Sequence, residues 1–166
     1  MILENLIKPI ILSEGITAPL LLKYDNFYAK QLTRSDVDAD LEGVNSSIEI
    51  IQKTRGGSWP SEQLTRDADL LDLAWHEREF NDGNSFAYAI YTNEDEYLGC
   101  FYLYGMGLRT PLSEVTIDFE VDASWWVTTE AFKEGYYEKV YLALLQWLSD
   151  EFKFKRIKYS NEELPI

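Results

Sequence analysis

A change of hydrophobic period near residue 84 is the feature that most constrains the fold. Before it, Ala68, Leu71 and Trp75 recur at spacings of three and four, which predicts a helix with Thr65 as its N-cap. After it, two alternating segments are joined by a polar loop at residues 93–96, which predicts a β-hairpin. A helix followed directly by an antiparallel pair is typical of a mixed α/β domain.

The segments on either side of this unit extend the pattern. They are a strand at residues 27–32, a helix at 35–52, a strand at 115–127, a helix from about Glu134 and a strand at 156–160. In the strand at 115–127, Asp118 and Glu120 fall on the polar face. The predicted order is therefore β-α-α-β-β-β-α-β. It is an α/β (α+β) arrangement with a mostly antiparallel sheet that ends in a βαβ crossover.

Charge excludes two classes of partner. The chain has 166 residues, and 15 Lys and Arg against 29 Asp and Glu leave a formal charge of −14. Nucleic acids and anionic membranes are bound through Lys and Arg, so we expect neither as a partner. Cys100 is the only cysteine and His76 the only histidine, which argues against a structural zinc site and favours a reducing, cytoplasmic location.

The first residues are apolar, but they carry charges and two prolines and lack the basic start of a signal peptide. We predict that residues 1–26 form an arm that packs on one domain of residues 27–166. The final strand would leave an open sheet edge, which we expect this arm or the second subunit of a homodimer to cover.

Six short stretches, taken in chain order, resemble a divergent bacterial branch of the GNAT superfamily of acyl-CoA-dependent N-acetyltransferases. They are Trp59-Pro60, LTRDADLLDLAWHEREF at 64–80, FAY at 86–88, LGCFY at 98–102, Trp147-Leu148 and RIKYSN at 156–161. The resemblance covers residues 27–161 and implies an acetyl-CoA cleft between the fourth and fifth strands of the predicted order. The pantetheine would pair with the backbone of Trp125, Trp126 and Val127.

The same resemblance places the pyrophosphate on amides at the start of the helix near Glu134, a position where free N–H groups and the helix dipole favour an anion. The implied cofactor residues of this turn are Lys133, Gly135, Tyr136 and Tyr137. The family pattern at this turn is degenerate, because its three slots hold Phe132, Gly135 and Tyr137. An ordinary helix start is the alternative interpretation of the segment.

A full GNAT domain continues with a further helix, which an Asn opens, and two more strands. Asn161 matches that Asn, so we include it among the cofactor residues, and only five residues follow it here. The tyrosine that commonly protonates the leaving thiolate in the family lies in that later helix. We therefore expect a shortened C-terminus and no residue in that role.

The resemblance implies a carboxylate base on the strand before the crossover helix, so Glu120 and Asp118 are the catalytic candidates. The alternative is that this polar face is only solvated or paired with basic side chains. His76 is expected on a solvated helix face, opposite Trp75. The leading functional hypothesis is acetyl transfer from acetyl-CoA to an amine of a small molecule or peptide, and the alternative is an inactive GNAT-like module that binds a ligand or protein.

Overall fold

A single sheet of six strands organises the molecule. The computed structural model describes residues 3–165, and the strand order β1-β2-β3-β4-β5-β6 follows the chain. The strands are β1 (Leu21–Tyr24), β2 (Phe27–Gln31), β3 (Phe86–Thr92), β4 (Tyr97–Tyr104), β5 (Val121–Val127) and β6 (Ile157–Tyr159). Neighbours pair antiparallel as far as β5, and β5 pairs parallel with β6, so the predicted α/β class and the final crossover are confirmed.

Helices cover both faces of the sheet. A short 3-10 turn (Arg34–Asp36) leads into α1 (Val37–Asn45), α2 (Ile48–Arg55) and α3 (Arg66–Asn81), and the crossover contains α4 (Thr129–Lys133) and α5 (Tyr136–Asp150). The predicted N-cap of α3 is confirmed, because the Thr65 side chain accepts a hydrogen bond from the Ala68 amide. None of the described helices is long and apolar enough to cross a membrane.

Two hydrophobic clusters lie on the two sides of the sheet, and adjacent residues of β5 belong to different ones. Trp125 packs with α5 in the larger cluster, and Trp126 packs with residues of α1, α2 and α3 in the smaller one. Both indoles are fully buried. Because neighbouring strand residues point to opposite faces, the side chains of β5 contact α5 on one face of the sheet and α1, α2 and α3 on the other.

The buried face of α3 differs from the predicted stripe. Leu71 and Trp75 are exposed, whereas Leu73 and Phe80 are buried, and with them His76. The prediction that His76 lies on a solvated face was therefore wrong. Apolar residues occur on both sides of this helix, so the 3.6-residue period alone does not select the face that meets the sheet.

The strand predicted over residues 115–127 begins six residues later than expected. Residues 114–118 form turns, and the carbonyls of Ile117 and Phe119 accept hydrogen bonds from Lys8 Nζ at 2.7 and 3.2 Å. Apolar and polar residues do alternate here, but a strand also needs a neighbouring strand to pair with. In this segment a lysine side chain from the N-terminal segment binds the backbone carbonyls instead.

Within the predicted arm, residues 21–24 form β1 on the sheet edge opposite β6. Lys8 makes an isolated bridge with Met106 after β4, and Ile10 joins the larger core cluster. Strand β1 thus lies at the other edge of the sheet, and the expectation that the arm or a second subunit covers the edge at β6 stays a prediction. Met1, Ile2 and Ile166 lie outside the described residues.

Candidate functional site

The fourth and fifth strands of the predicted order are β5 and β6, and they separate after three paired residues. Their pairing runs from Val121–Ile157 to Ala123–Tyr159. Beyond it the Asn161 side chain replaces a strand: its Oδ1 accepts the Trp125 N–H at 3.0 Å, and its Nδ2 donates to the Trp125 carbonyl at 2.9 Å. The gap that the resemblance assigns to pantetheine is thus bridged by one amide side chain.

Tyr137 fills the next layer of this gap. Its ring stacks on Trp125 with centroids 4.9 Å apart, and its hydroxyl oxygen accepts from Asn161 Nδ2 at 2.8 Å. The same hydroxyl lies within hydrogen-bond distance of the Thr54 and Glu163 carbonyls. Burial raises the pKa of Tyr137 to about 12, so the hydroxyl keeps its proton and can donate it to a carbonyl.

The N-terminus of α5 opens onto a cavity of about 310 Å³ beside this gap. Gly135 precedes the helix with φ of 87°, a left-handed conformation that favours glycine. The first amides of a helix have no partner inside it, so they suit a phosphate. Glu138 and Glu163 also line the cavity, and the nearby Lys133 and Lys139 pair with Glu130 at 3.5 Å and Asp25 at 3.6 Å.

The two ends of the cleft therefore differ in how well they fit acetyl-CoA. The α5 amides suit the pyrophosphate, although two carboxylates oppose its charge. At the other end, a pantetheine can pair with Trp125 only if the Asn161 side chain leaves it. Trp126 faces the opposite side, where its Nε1 donates to the Tyr102 hydroxyl at 2.8 Å, and Val127 is buried.

The two candidate bases lie outside this cleft arrangement. Glu120 accepts hydrogen bonds from the amides of Lys155 and Arg156 at 2.6 and 3.2 Å, just before β6. Asp118 is exposed in the turn that precedes β5. The structure thus gives Glu120 a role in holding the start of β6, which matches the paired alternative, and a catalytic role for either residue stays a prediction.

A second cavity lies on the α3 side of β5, and we call it the Arg55 pocket. It has a volume of about 230 Å³ and is lined by Arg55, Trp59, Asp72, Trp75, His76, Tyr102 and Tyr104. Arg55 ends α2, donates from Nε to Ser124 Oγ on β5 at 3.1 Å, and lies 4.5 Å from the centre of the Tyr102 ring. Helix α3 supplies the carboxyl group of Asp72 and the imidazole of His76 to the lining.

The titratable groups of the Arg55 pocket have shifted pKa values. Burial, together with the charge of Asp69, raises the pKa of Asp72 to about 6, while Arg55 acts in the other direction. Burial and the Arg55 charge lower the pKa of His76 to about 4, so its imidazole is neutral at pH 7. His76 Nε2 lies 3.7 Å from Asp72 Oδ2. Shifted acids and bases in a cavity are a common property of functional sites.

A buried carboxyl pair lies one helical turn from Asp72. Asp69 is fully buried, and burial together with the nearby Asp40 carboxylate raises its pKa to about 8. Asp40 accepts from the Tyr97 hydroxyl at 2.5 Å and from Cys100 Sγ at 3.6 Å. Burial also raises the pKa of the Cys100 thiol, which makes it a poor nucleophile.

The sequence indicated some of these residues for other reasons and missed the pocket. Trp59 entered only through the resemblance, and His76 was assigned to solvent. Arg55 directly precedes two glycines, and nothing in the local pattern shows that its side chain turns inward. The spacing of Asp69, Asp72 and His76 along one side of a helix is the signal that could have pointed here.

Comparison with known proteins identifies the architecture. No protein-family model and no curated protein sequence matches the chain. Among solved structures, a ribosomal-protein-S5-alanine acetyltransferase from Vibrio fischeri aligns with TM-score 0.62 and 9% identity over 84% of this chain and 72% of that one. A GNAT-family acetyltransferase from Bacillus anthracis aligns with TM-score 0.57 and 14% identity over 82% and 70%.

A third solved structure contains coenzyme A. It is a ribosomal L7/L12 alpha-N-protein acetyltransferase in complex with coenzyme A, and it aligns with TM-score 0.64 and 12% identity over 82% of this chain and 72% of that one. Because the identities are this low, the structural similarity establishes the fold alone, and the chemistry has to be argued from the site. The chain has the fold of the GNAT acetyltransferases.

Proposed function

We propose that this chain is an N-acetyltransferase that transfers the acetyl group of acetyl-CoA to an amine of a small molecule or peptide. The observation that carries the proposal is the separation of β5 and β6 beside the open N-terminus of α5. This arrangement provides amides for a pyrophosphate, and the solved structures that share the fold are acetyltransferases.

When bound, acetyl-CoA supplies the thioester that the amine attacks, and the chain's own residues must hold the amine and take its proton. Asp72 is suited to the second task, because a carboxyl with a pKa of about 6 can accept a proton near neutral pH. The aromatic rings of Trp59 and Trp75 line the same pocket and favour a cationic ammonium group.

A GNAT-fold module that binds a ligand without acetyl transfer is the second candidate. It is favoured by the hydrogen bonds that Asn161 makes to both backbone groups of Trp125 and by the ring of Tyr137 packed against them. In this candidate the cleft between β5 and β6 is a structural part of the core, and ligands bind only in the Arg55 pocket.

Two measurements on the full chain separate the candidates. Calorimetric titration with coenzyme A tests the cleft, and release of free thiol from acetyl-CoA in the presence of an amine library tests transfer. Binding together with amine-dependent thiol release supports the acetyltransferase. Absence of coenzyme A binding, both in the wild type and in Asn161→Ala, which frees the Trp125 backbone, would reject it in favour of the second candidate.

A further inference from the structure

Among residues 3–165, the guanidinium of Arg55 is a buried charge without an ion-pair partner. Arg55 is 7% exposed, and none of the carboxylates in residues 3–165 lies within 4.0 Å of its nitrogens. Its Nε donates to Ser124 Oγ and its Cζ lies 4.5 Å from the centre of the Tyr102 ring, while the group lines the 230 Å³ pocket. Proteins pair the charges that they bury, so a guanidinium with no ion pair among the described residues is a site for an anion.

The pocket also contains a group of the opposite sign. Asp72 is 41% exposed and stands on α3, whereas Arg55 ends α2, and the two side chains form no ion pair within 4.0 Å. Apart from Arg55, whose charge acts to lower the pKa of Asp72, the only basic side chain that lines the pocket is His76, which is neutral at pH 7 because burial lowers its pKa to about 4. The pocket therefore presents a positive group from α2 and a negative group from α3.

Size and lining limit the ligand further. The volume of 230 Å³ corresponds to about eight water molecules of the liquid, which suits a small metabolite and excludes a folded partner. Four aromatic side chains surround the space: Trp59, Trp75, Tyr102 and Tyr104. A planar guanidinium binds a carboxylate in a bidentate geometry, while a doubly charged phosphate would be repelled by Asp72.

We propose that the Arg55 pocket binds a free amino acid, with its carboxylate on the Arg55 guanidinium, its ammonium group on Asp72 and its side chain among the aromatic rings. This inference deepens the proposed function, because it names the class of amine, and it rests on that function only for acetyl transfer. Binding of the amino acid stands as a separate property that needs no acetyl-CoA.

Ligand-observed NMR and calorimetry on the full chain, without acetyl-CoA, test the binding. The probes are L-alanine and L-leucine, with propionate as the matched compound that lacks the amino group and ethylamine as the one that lacks the carboxylate. We expect saturable binding of the amino acids and affinities at least 10-fold lower for propionate and ethylamine. Equal binding of all four compounds, or no binding of either amino acid, would overturn the proposal.

Two variants place the ligand in the pocket. Arg55→Gln and Asp72→Asn should each weaken amino-acid binding about 10-fold or more, because each removes one charged contact. Asp67→Asn, an exposed acid on the same helix, is the matched control and should leave the affinity unchanged. If Arg55→Gln fails to fold, Asp72→Asn decides alone, since its side chain is partly exposed; unchanged affinity in that variant contradicts the assignment.

Failure of this inference is distinguishable from failure of the proposed function. If the chain binds amino acids but neither binds coenzyme A nor releases thiol, the pocket assignment is supported and the acetyltransferase proposal is rejected. Conversely, thiol release with amines that lack a carboxylate, without amino-acid binding, keeps the transferase and loses the pocket assignment.

Discussion

The two sides of β5 differ in whether their buried polar groups have partners. On the α5 side, the backbone of Trp125 is paired with Asn161, which in turn meets Tyr137. On the α3 side, Ser124 holds one nitrogen of Arg55, and the rest of that charge is left without an ion pair among residues 3–165. A polar group with its partner in place stabilises the fold, whereas a buried charge without one is an unusual cost that a ligand would relieve.

The electrostatic environments of the two cavities differ as well. The cavity at α5 combines helix amides with Glu138 and Glu163, and the chain as a whole carries a charge of −14, so an anionic ligand gains little from the surroundings. The Arg55 pocket has one group of each sign and aromatic walls. This difference in charge and lining agrees with our proposal that the Arg55 pocket binds a small polar ligand.

Removing the Tyr137 ring, which packs on the α5 side of β5, should give the largest loss of stability. Tyr137→Ala leaves a cavity against Trp125 and should lower the free energy of unfolding by about 3–5 kcal/mol in urea denaturation. Trp75→Ala, in the partly exposed wall of the Arg55 pocket, is the comparison variant and should cost less than about 1 kcal/mol. Similar losses in both variants would break the distinction between a filled cleft and an open pocket.

Stability on the α3 side should depend on pH through Asp69. Its pKa in the folded chain is raised to about 8, so folding favours the protonated carboxyl, and the stability that this contributes is lost as pH rises from about 4 through about 8. Between pH 6.5 and 8 the loss is at most about 1.4 kcal/mol per pH unit. Measurement above pH 6.5 avoids the opposite effect of His76, whose pKa is lowered to about 4.

Urea denaturation of Asp69→Asn over the same pH range provides the control. Since the amide does not titrate, the variant should show a clearly smaller decrease of stability with pH than the wild type. Identical slopes in the two proteins would show that Asp69 does not carry the extra proton.

Breaking the side-chain bridge in the cleft should have an intermediate effect. Asn161→Ala leaves the N–H and carbonyl of Trp125 without partners, which should lower the free energy of unfolding by about 1–3 kcal/mol. The exposed Asn84→Ala is the matched control and should change it by less than about 0.5 kcal/mol. If Asn161→Ala is as stable as the control, the bridge is dispensable and the cleft is easier to open than we infer.

The smallest effect concerns charge at the α5 cavity. Glu138→Gln and Glu163→Gln each remove a negative charge near the helix N-terminus, which should raise the affinity for coenzyme A about 2- to 5-fold at low salt. Calorimetric titration checks this, with Glu14→Gln in the exposed N-terminal segment as the control. Equal affinities in the variants and the control would mean that the pyrophosphate does not bind here.

Local chemistry explains why much of the fold was predictable. Thr65 caps α3 through its own side chain, the loop at residues 93–96 joins β3 to β4, and the helix predicted from about Glu134 is α5. Each of these depends on residues close together in the chain. The α/β class follows from their order.

The errors share one cause, which is that burial depends on distant partners. Residues 115–119 alternate like a strand, yet Lys8 takes two of their carbonyls. Helix α3 carries apolar residues on two sides, and packing on the sheet selected the side with Leu73 and His76. Neither outcome is visible in a window of a few residues.

The sequence by itself determined the elements, their order and the acidic charge, because period, capping and composition are local properties. Only the tertiary structure decided which polar groups are paired across the core. It joined Asn161 to Trp125, 36 residues apart, and Arg55 to Ser124, 69 residues apart. Such contacts follow from the packing of whole elements on both faces of β5. This packing separates a cleft that the chain's own residues fill from a pocket in which Arg55 has no ion pair within residues 3–165.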